Sequence, residues 1–195
     1  MSPSGLVLCA SLILVAGGPG ADEHVLAGAH AFREARYAEA LVEFRVAQAL
    51  GSRESGDYAG ATLVKLERPL EAIEAFGGLD GPDRDALTDY YRAVAAHDAR
   101  LYLAADRLLA AVGDRSGPKI AEQAAQLRER IAAALAGAPA PAAIDWYLAQ
   151  CAEERDLGRA ILSRAYCREA AAQALRRSDH YRLAEAQAGA TGARP

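Results

Sequence analysis

The sequence predicts an all-α chain built from tandem helix–turn–helix repeats. Alanine, leucine, glutamate and arginine, all strong helix formers, dominate the composition. β-Branched residues are sparse, and no stretch alternates apolar and polar side chains as a half-buried strand would. Above all, three segments align with one another at a nearly fixed step, the signature of a repeat architecture.

The chain has 195 residues, 52% hydrophobic and 25% charged, the composition of a globular protein with a sizeable core. Its formal net charge of −4 offers no excess of positive charge for a nucleic-acid backbone.

Residues 6–16 (LVLCASLILVA) form an uncharged apolar run followed by the small-residue stretch GGPGA. A helical bilayer span takes about 20 residues, so the run is too short to cross and instead has the length of a signal-peptide core. Residues 1–21 are therefore read as an export signal, cleaved after Gly18 or Ala21, and the mature protein as periplasmic or secreted. A buried N-terminal helix is the competing reading, and the glycines and proline that end the run speak against it. No Lys or Arg precedes the core. Cys9, preceded by bulky Leu8, sits too early for lipid attachment.

The aligned segments are residues 28–50, 60–80 and 93–112. Gly28, Gly60 and Ala93 correspond, as do Ala40, Ala72 and Ala105, and Phe44, Phe76 and Leu109, at steps of 32 and then 33 residues. Small residues recur where two helices must approach closely, and a large apolar residue follows four later on the same helical face. Turn signals separate the units at Gly51-Ser52, Gly81-Pro82-Asp83 and Ser116-Gly117-Pro118.

With Gly28, Tyr37-Ala-Glu-Ala40, Phe44 and Ala47, the first unit resembles the tetratricopeptide repeat. The second matches through Gly60, Pro69-Leu-Glu-Ala72 and Phe76, and the third is degenerate. The family's early Trp is absent, and its first-helix Tyr is replaced by Ala31, Leu63 and Ala96. The resemblance covers residues 22–115 and implies a short right-handed α-solenoid, continued by degenerate C-terminal helical hairpins.

Beyond it, residues 118–136 place Ile120, Ala124, Leu127, Ile131 and Leu135 on one amphipathic stripe. After the break GAPAP, a helical pair is expected over residues 142–153 and 159–176, with Arg164 where an aromatic would stand. Residues 116–188 are thus expected to hold additional helices ending in a short piece at residues 179–188 that caps the array, and residues 189–195 to be a disordered tail. Cys151 and Cys167 fall on this pair at unequal distances from the turn near residues 156–158. That offset favours two small buried hydrophobes over a disulfide.

No catalytic constellation is legible. The four histidines are dispersed without metal-ligand spacing, and there is neither a phosphate-binding loop nor a nucleophile elbow. Acidic pairs such as Glu39 and Glu43 read as solvated helix surface. The expectation is a non-enzyme without cofactor or metal.

In tetratricopeptide proteins the first helices line the concave face, which implies Val25, Ala29, Phe32 and Arg33 in unit one. Asp57, Ala61, Val64 and Lys65 follow in unit two, and Tyr90, Val94, His97 and Asp98 in unit three. Phe32, Arg33, Val64, Lys65, Tyr90 and His97 are the principal candidates for a partner-binding groove. Gly28, Ala40, Phe44, Gly60, Ala72, Phe76, Ala105 and Leu109 are the candidates for repeat packing. Phe32 and Tyr90 could equally pack between helices. The family's clamp for a C-terminal carboxylate needs Lys and Asn where Val25 and Ala29 stand, so that specificity is not expected. The implied function is a cell-envelope scaffold or adaptor that binds a protein or peptide. The alternatives are a self-associating structural protein and an enzyme subunit with an aromatic wall of Trp146, Tyr147 and Tyr166.

Overall fold

The computed structural model describes residues 20–80, 84–112 and 115–191. The export-signal reading of residues 1–21 falls almost wholly outside them. Among the described residues there are nine helices and no strand. They are α1 (Ala21–Arg33), α2 (Tyr37–Ala49), α3 (Ser55–Lys65), α4 (Pro69–Ala75), α5 (Ala86–Asp98), α6 (Tyr102–Val112), α7 (Pro118–Ala134), α8 (Pro141–Asp156) and α9 (Ala160–Thr191). Proline at the first turn opens α4, α7 and α8, where its missing N–H costs nothing. None of these helices is long and apolar enough to cross a membrane.

Consecutive helices pack in pairs, and one turn joins the partners of each pair. After α1 the backbone turns left-handed at Ala35 (φ 59°), after α3 at Glu67 (φ 58°) and after α5 at Arg100 (φ 63°). In each turn an N–H closes back on the carbonyl five residues earlier: Arg36 on Ala31 at 2.9 Å, Arg68 on Leu63 at 3.0 Å and Leu101 on Ala96 at 2.8 Å. This is the Schellman closure, which satisfies carbonyls that a helix end leaves open. The turn recurs with the same 32- and 33-residue steps as the sequence pattern.

Every residue assigned to repeat packing is buried. The reason for the two glycines is steric: a Cβ at Gly28 would stand 2.7 Å from the Phe44 ring, and one at Gly60 2.6 Å from the Phe76 ring. The third hairpin carries the buried pair Ala93 and Leu109 instead, a small residue against a smaller knob. Gly60→Ala is therefore expected to destabilise by about 1–3 kcal/mol through overpacking, despite the roughly 1 kcal/mol by which alanine outranks glycine in a helix. Adding Phe76→Leu should recover much of that cost. A double-mutant cycle in urea reads the coupling, and strictly additive costs would sever the pair.

α8 and α9 close with the same turn. Gly158 is left-handed (φ 72°), and Arg159 N–H donates to Glu154 O at 2.8 Å. Aligned on this turn, Cys151 takes the place of Gly28 and Cys167 that of Phe44, and the two cysteines form a disulfide with Cα atoms 5.2 Å apart. This corrects the expectation of two unbridged cysteines. Counting from the turn treated the helices as rods meeting symmetrically, whereas the Schellman turn sets residues sixteen apart against each other in the hairpins. Arg164 does not occupy the aromatic position. Ser163 stands at the Ala40 position, its hydroxyl donating to Cys151 O at 2.9 Å.

α7 packs on α5 and α6, but α9 folds back against α4 and α6 while pairing with α8. The separate cap expected at residues 179–188 is instead a continuation of α9, which also runs three residues into the stretch expected to be disordered. The Tyr147 hydroxyl donates to Arg100 O at 2.7 Å, and the Tyr166 hydroxyl to Ala99 O at 3.4 Å. Trp146 meets both rings edge-on and lies under the Arg100 guanidinium. The three aromatics thus clasp the α5–α6 turn.

Burial pushes the Tyr166 hydroxyl up to about 12 and raises that of Tyr147 in the same direction. The folded state holds these protons after an unfolded chain would have released them near pH 10. Stability should thus be intact below pH 10 and fall as pH rises through the folded values. Tyrosinate absorbance should show two of the eight tyrosines ionising only as far-ultraviolet dichroism is lost. Ionisation of all eight before unfolding would refute the burial.

α6 begins without a Ser, Thr, Asp or Asn at its N-terminus. Its cap comes from α9: the Glu169 carboxylate accepts Leu103 N–H at 2.9 Å and Ala104 N–H at 3.2 Å, steadied by Gln173. Burial raises the Glu169 carboxyl above its ordinary value, while the two N–H groups pull the other way.

Candidate peptide groove

The first helices of the three repeat units line one concavity of about 530 Å³. α1 contributes Leu26, Ala29, Phe32 and Arg33; α3 contributes Asp57, Tyr58 and Ala61; the start of α5 contributes Leu87, Thr88 and Tyr91. Leu26 is 70% exposed, Tyr58 42% and Leu87 48%, so large apolar groups left open to water converge on a single groove.

The repeat explains the convergence. Leu26, Tyr58 and Tyr91 occupy one equivalent position, two residues before Gly28, Gly60 and Ala93. Ala29 and Ala61 follow three residues later and form a low floor; Arg33 and Lys65 follow four beyond those. Offsets of three and seven keep all these on one helical stripe. The set expected from the family resemblance runs one position to the side of this apolar row, through Val25, Asp57 and Tyr90. The i, i+3, i+7 stripe through Ala29 and Arg33 points back to Leu26.

Of the six principal groove candidates, Phe32 and Arg33 line the concavity. Lys65 reaches its border, its ammonium 5.6 Å from the centroid of the Tyr91 ring. Tyr90 stacks edge-on against Tyr91 behind the lining. Val64 packs against the core, and His97 lies against Tyr102 with its Nδ1 2.8 Å from Asp98.

The acids along the groove are engaged. Asp57 pairs with Arg84. Asp85 caps α5, accepting the Leu87 and Thr88 N–H groups at 3.0 Å each and the Thr88 hydroxyl. Burial tends to raise the Asp85 carboxyl, but these hydrogen bonds outweigh it and the net shift is downward. Behind the groove lies a buried ionic centre that the sequence did not announce. Asp89 accepts from Arg92 at 2.8 Å, Arg115 at 2.9 Å and the Arg84 backbone N–H at 3.1 Å. It ties the start of α5 to the segment before it and to the segment after α6. Among the described residues no group of three or more His, Cys, Asp or Glu side chains is placed to hold a metal ion.

Fold and groove define a class: an all-helical chain of paired helices with an apolar concavity across its first helices. No protein-family model matches the chain, and no match was found among curated proteins or solved structures.

Proposed function

We propose that this protein is an exported, non-catalytic scaffold. In this reading its helical pairs form a short right-handed solenoid of tetratricopeptide-like repeats that holds a peptide segment of a partner protein across α1, α3 and α5. The observation that carries the reading is the convergence of exposed Leu26, Tyr58 and Leu87 on one groove. Aromatic and aliphatic groups open to water within a concave rim are the usual anchors of peptide interfaces. The apolar run at residues 6–16 and the Cys151–Cys167 disulfide support export, because such bonds persist in oxidising compartments.

A photo-crosslinking residue at position 26, introduced in the native host, tests the groove. It should trap a discrete partner adduct that Tyr58→Ser reduces, while the same group at Lys119 on α7 traps none. Equal trapping at both positions would overturn the reading. Self-association is a second reading, favoured by exposed Leu148, Leu157 and Leu175 in the C-terminal hairpin. It predicts a concentration-dependent sedimentation coefficient that Leu175→Glu abolishes.

A further inference from the structure

We infer that the groove selects an acidic amphipathic peptide, one that places apolar side chains over Leu26, Tyr58 and Tyr91 and a carboxylate against Arg33 and Lys65. The inference rests on the groove being a binding site at all, and it adds the chemistry of the occupant.

The argument is charge complementarity. The groove's own carboxylates are engaged within the protein: Asp57 is paired with Arg84, and Asp85 accepts the N-terminal N–H groups of α5. At the other end of the stripe, Arg33 and Lys65 are exposed, and no carboxylate among the described residues pairs with either. Glu34, beside Arg33 in sequence, is taken by Arg36 through two hydrogen bonds of 2.9 and 2.6 Å. Lys65 is held over Tyr91, so its ammonium stands at the edge of the apolar row. In a chain of net charge −4, two cations outside any ion pair on one stripe of the concave face form a local positive end.

The geometry sets the spacing. Leu26 and Arg33 are seven residues apart on one helix, a rise of about 10 Å. An extended peptide covers that distance in roughly three residues, at ~3.3 Å each. The Ala29 and Ala61 floor leaves room for the intervening side chains. A basic peptide would meet Arg33 and Lys65 with like charge, so the same pair rejects the wrong partner as well as attracting the right one.

Selection from a displayed random-peptide library against the full chain tests this. Wild-type protein should enrich sequences that carry Asp or Glu beside apolar residues. Resynthesised as labelled peptides, these should bind about fivefold tighter than their Asn or Gln counterparts, as two rim charges of modest strength allow. Added salt should erase the difference. Arg33→Glu with Lys65→Glu should reverse the selected charge while leaving the apolar residues. Peptides enriched without acid excess, and unaffected by that reversal, would overturn the inference yet leave the groove standing. Failure of Leu26→Ser with Tyr58→Ser to weaken any selected peptide would instead remove the groove, and the inference with it.

Discussion

Asp89→Ala is expected to cost about 3–5 kcal/mol, the penalty for removing one partner of a buried ion pair. Both Asp89 and Arg92 are only 1% exposed. Arg92 spans from the carboxylate to the backbone carbonyls of Gly78 and Asp80, at 3.4 and 3.2 Å. Arg115 reaches the same carboxylate from beyond α6. Without Asp89, Arg92 would be a buried cation facing only carbonyls, and the segments before α5 and after α6 would lose their common tether. Asp89→Asn keeps the shape and two of the acceptor contacts, so it should cost less than the alanine variant. Urea denaturation with an unchanged slope measures both. An alanine cost under about 1 kcal/mol would show the centre to be wet and dispensable.

The second large effect concerns the disulfide. Closing a loop of 16 residues removes unfolded-state entropy worth roughly 3 kcal/mol. Cys151→Ala with Cys167→Ala should destabilise by about that amount, and reductant should do the same to the wild type, reaching the bond from the exposed Cys167 side. The loss should be local before it is global. α8 is held mainly by α9, so hydrogen exchange should quicken there first while α1 to α4 stay protected. Uniform quickening would mean that the hairpin is not a separate cooperative unit.

How far the sequence disclosed these features depends on their range. The helices, the 32- and 33-residue steps and the glycine–phenylalanine contacts were legible because each is fixed within one hairpin by spacing and residue size. The disulfide was misread, although Gly28 and Phe44 carry the same separation as Cys151 and Cys167. Distances counted along straight helices from the turn hide that register, which the Schellman geometry of the turn sets. Asp89 and Glu169 were not legible at all. An acid on an amphipathic helix reads as surface, and only the fold brings Arg115 to one and the α6 terminus to the other. The groove was half legible: Arg33 and Phe32 were found, and the row from Leu26 to Tyr91 was missed by a single position.

The loan of Glu169 to the first turn of α6 has a consequence for how the molecule is made and cut. A nascent chain halted before residue 169 would hold all three repeat units yet leave the third with bare amides at the head of its second helix. Its last pair should therefore consolidate only after α9 emerges. Expression of residues 22–115 alone should accordingly yield a ragged C-terminal end. The change of sequence character near residue 115 marks where the pattern fades, whereas the groups that complete the start of α6 lie beyond it.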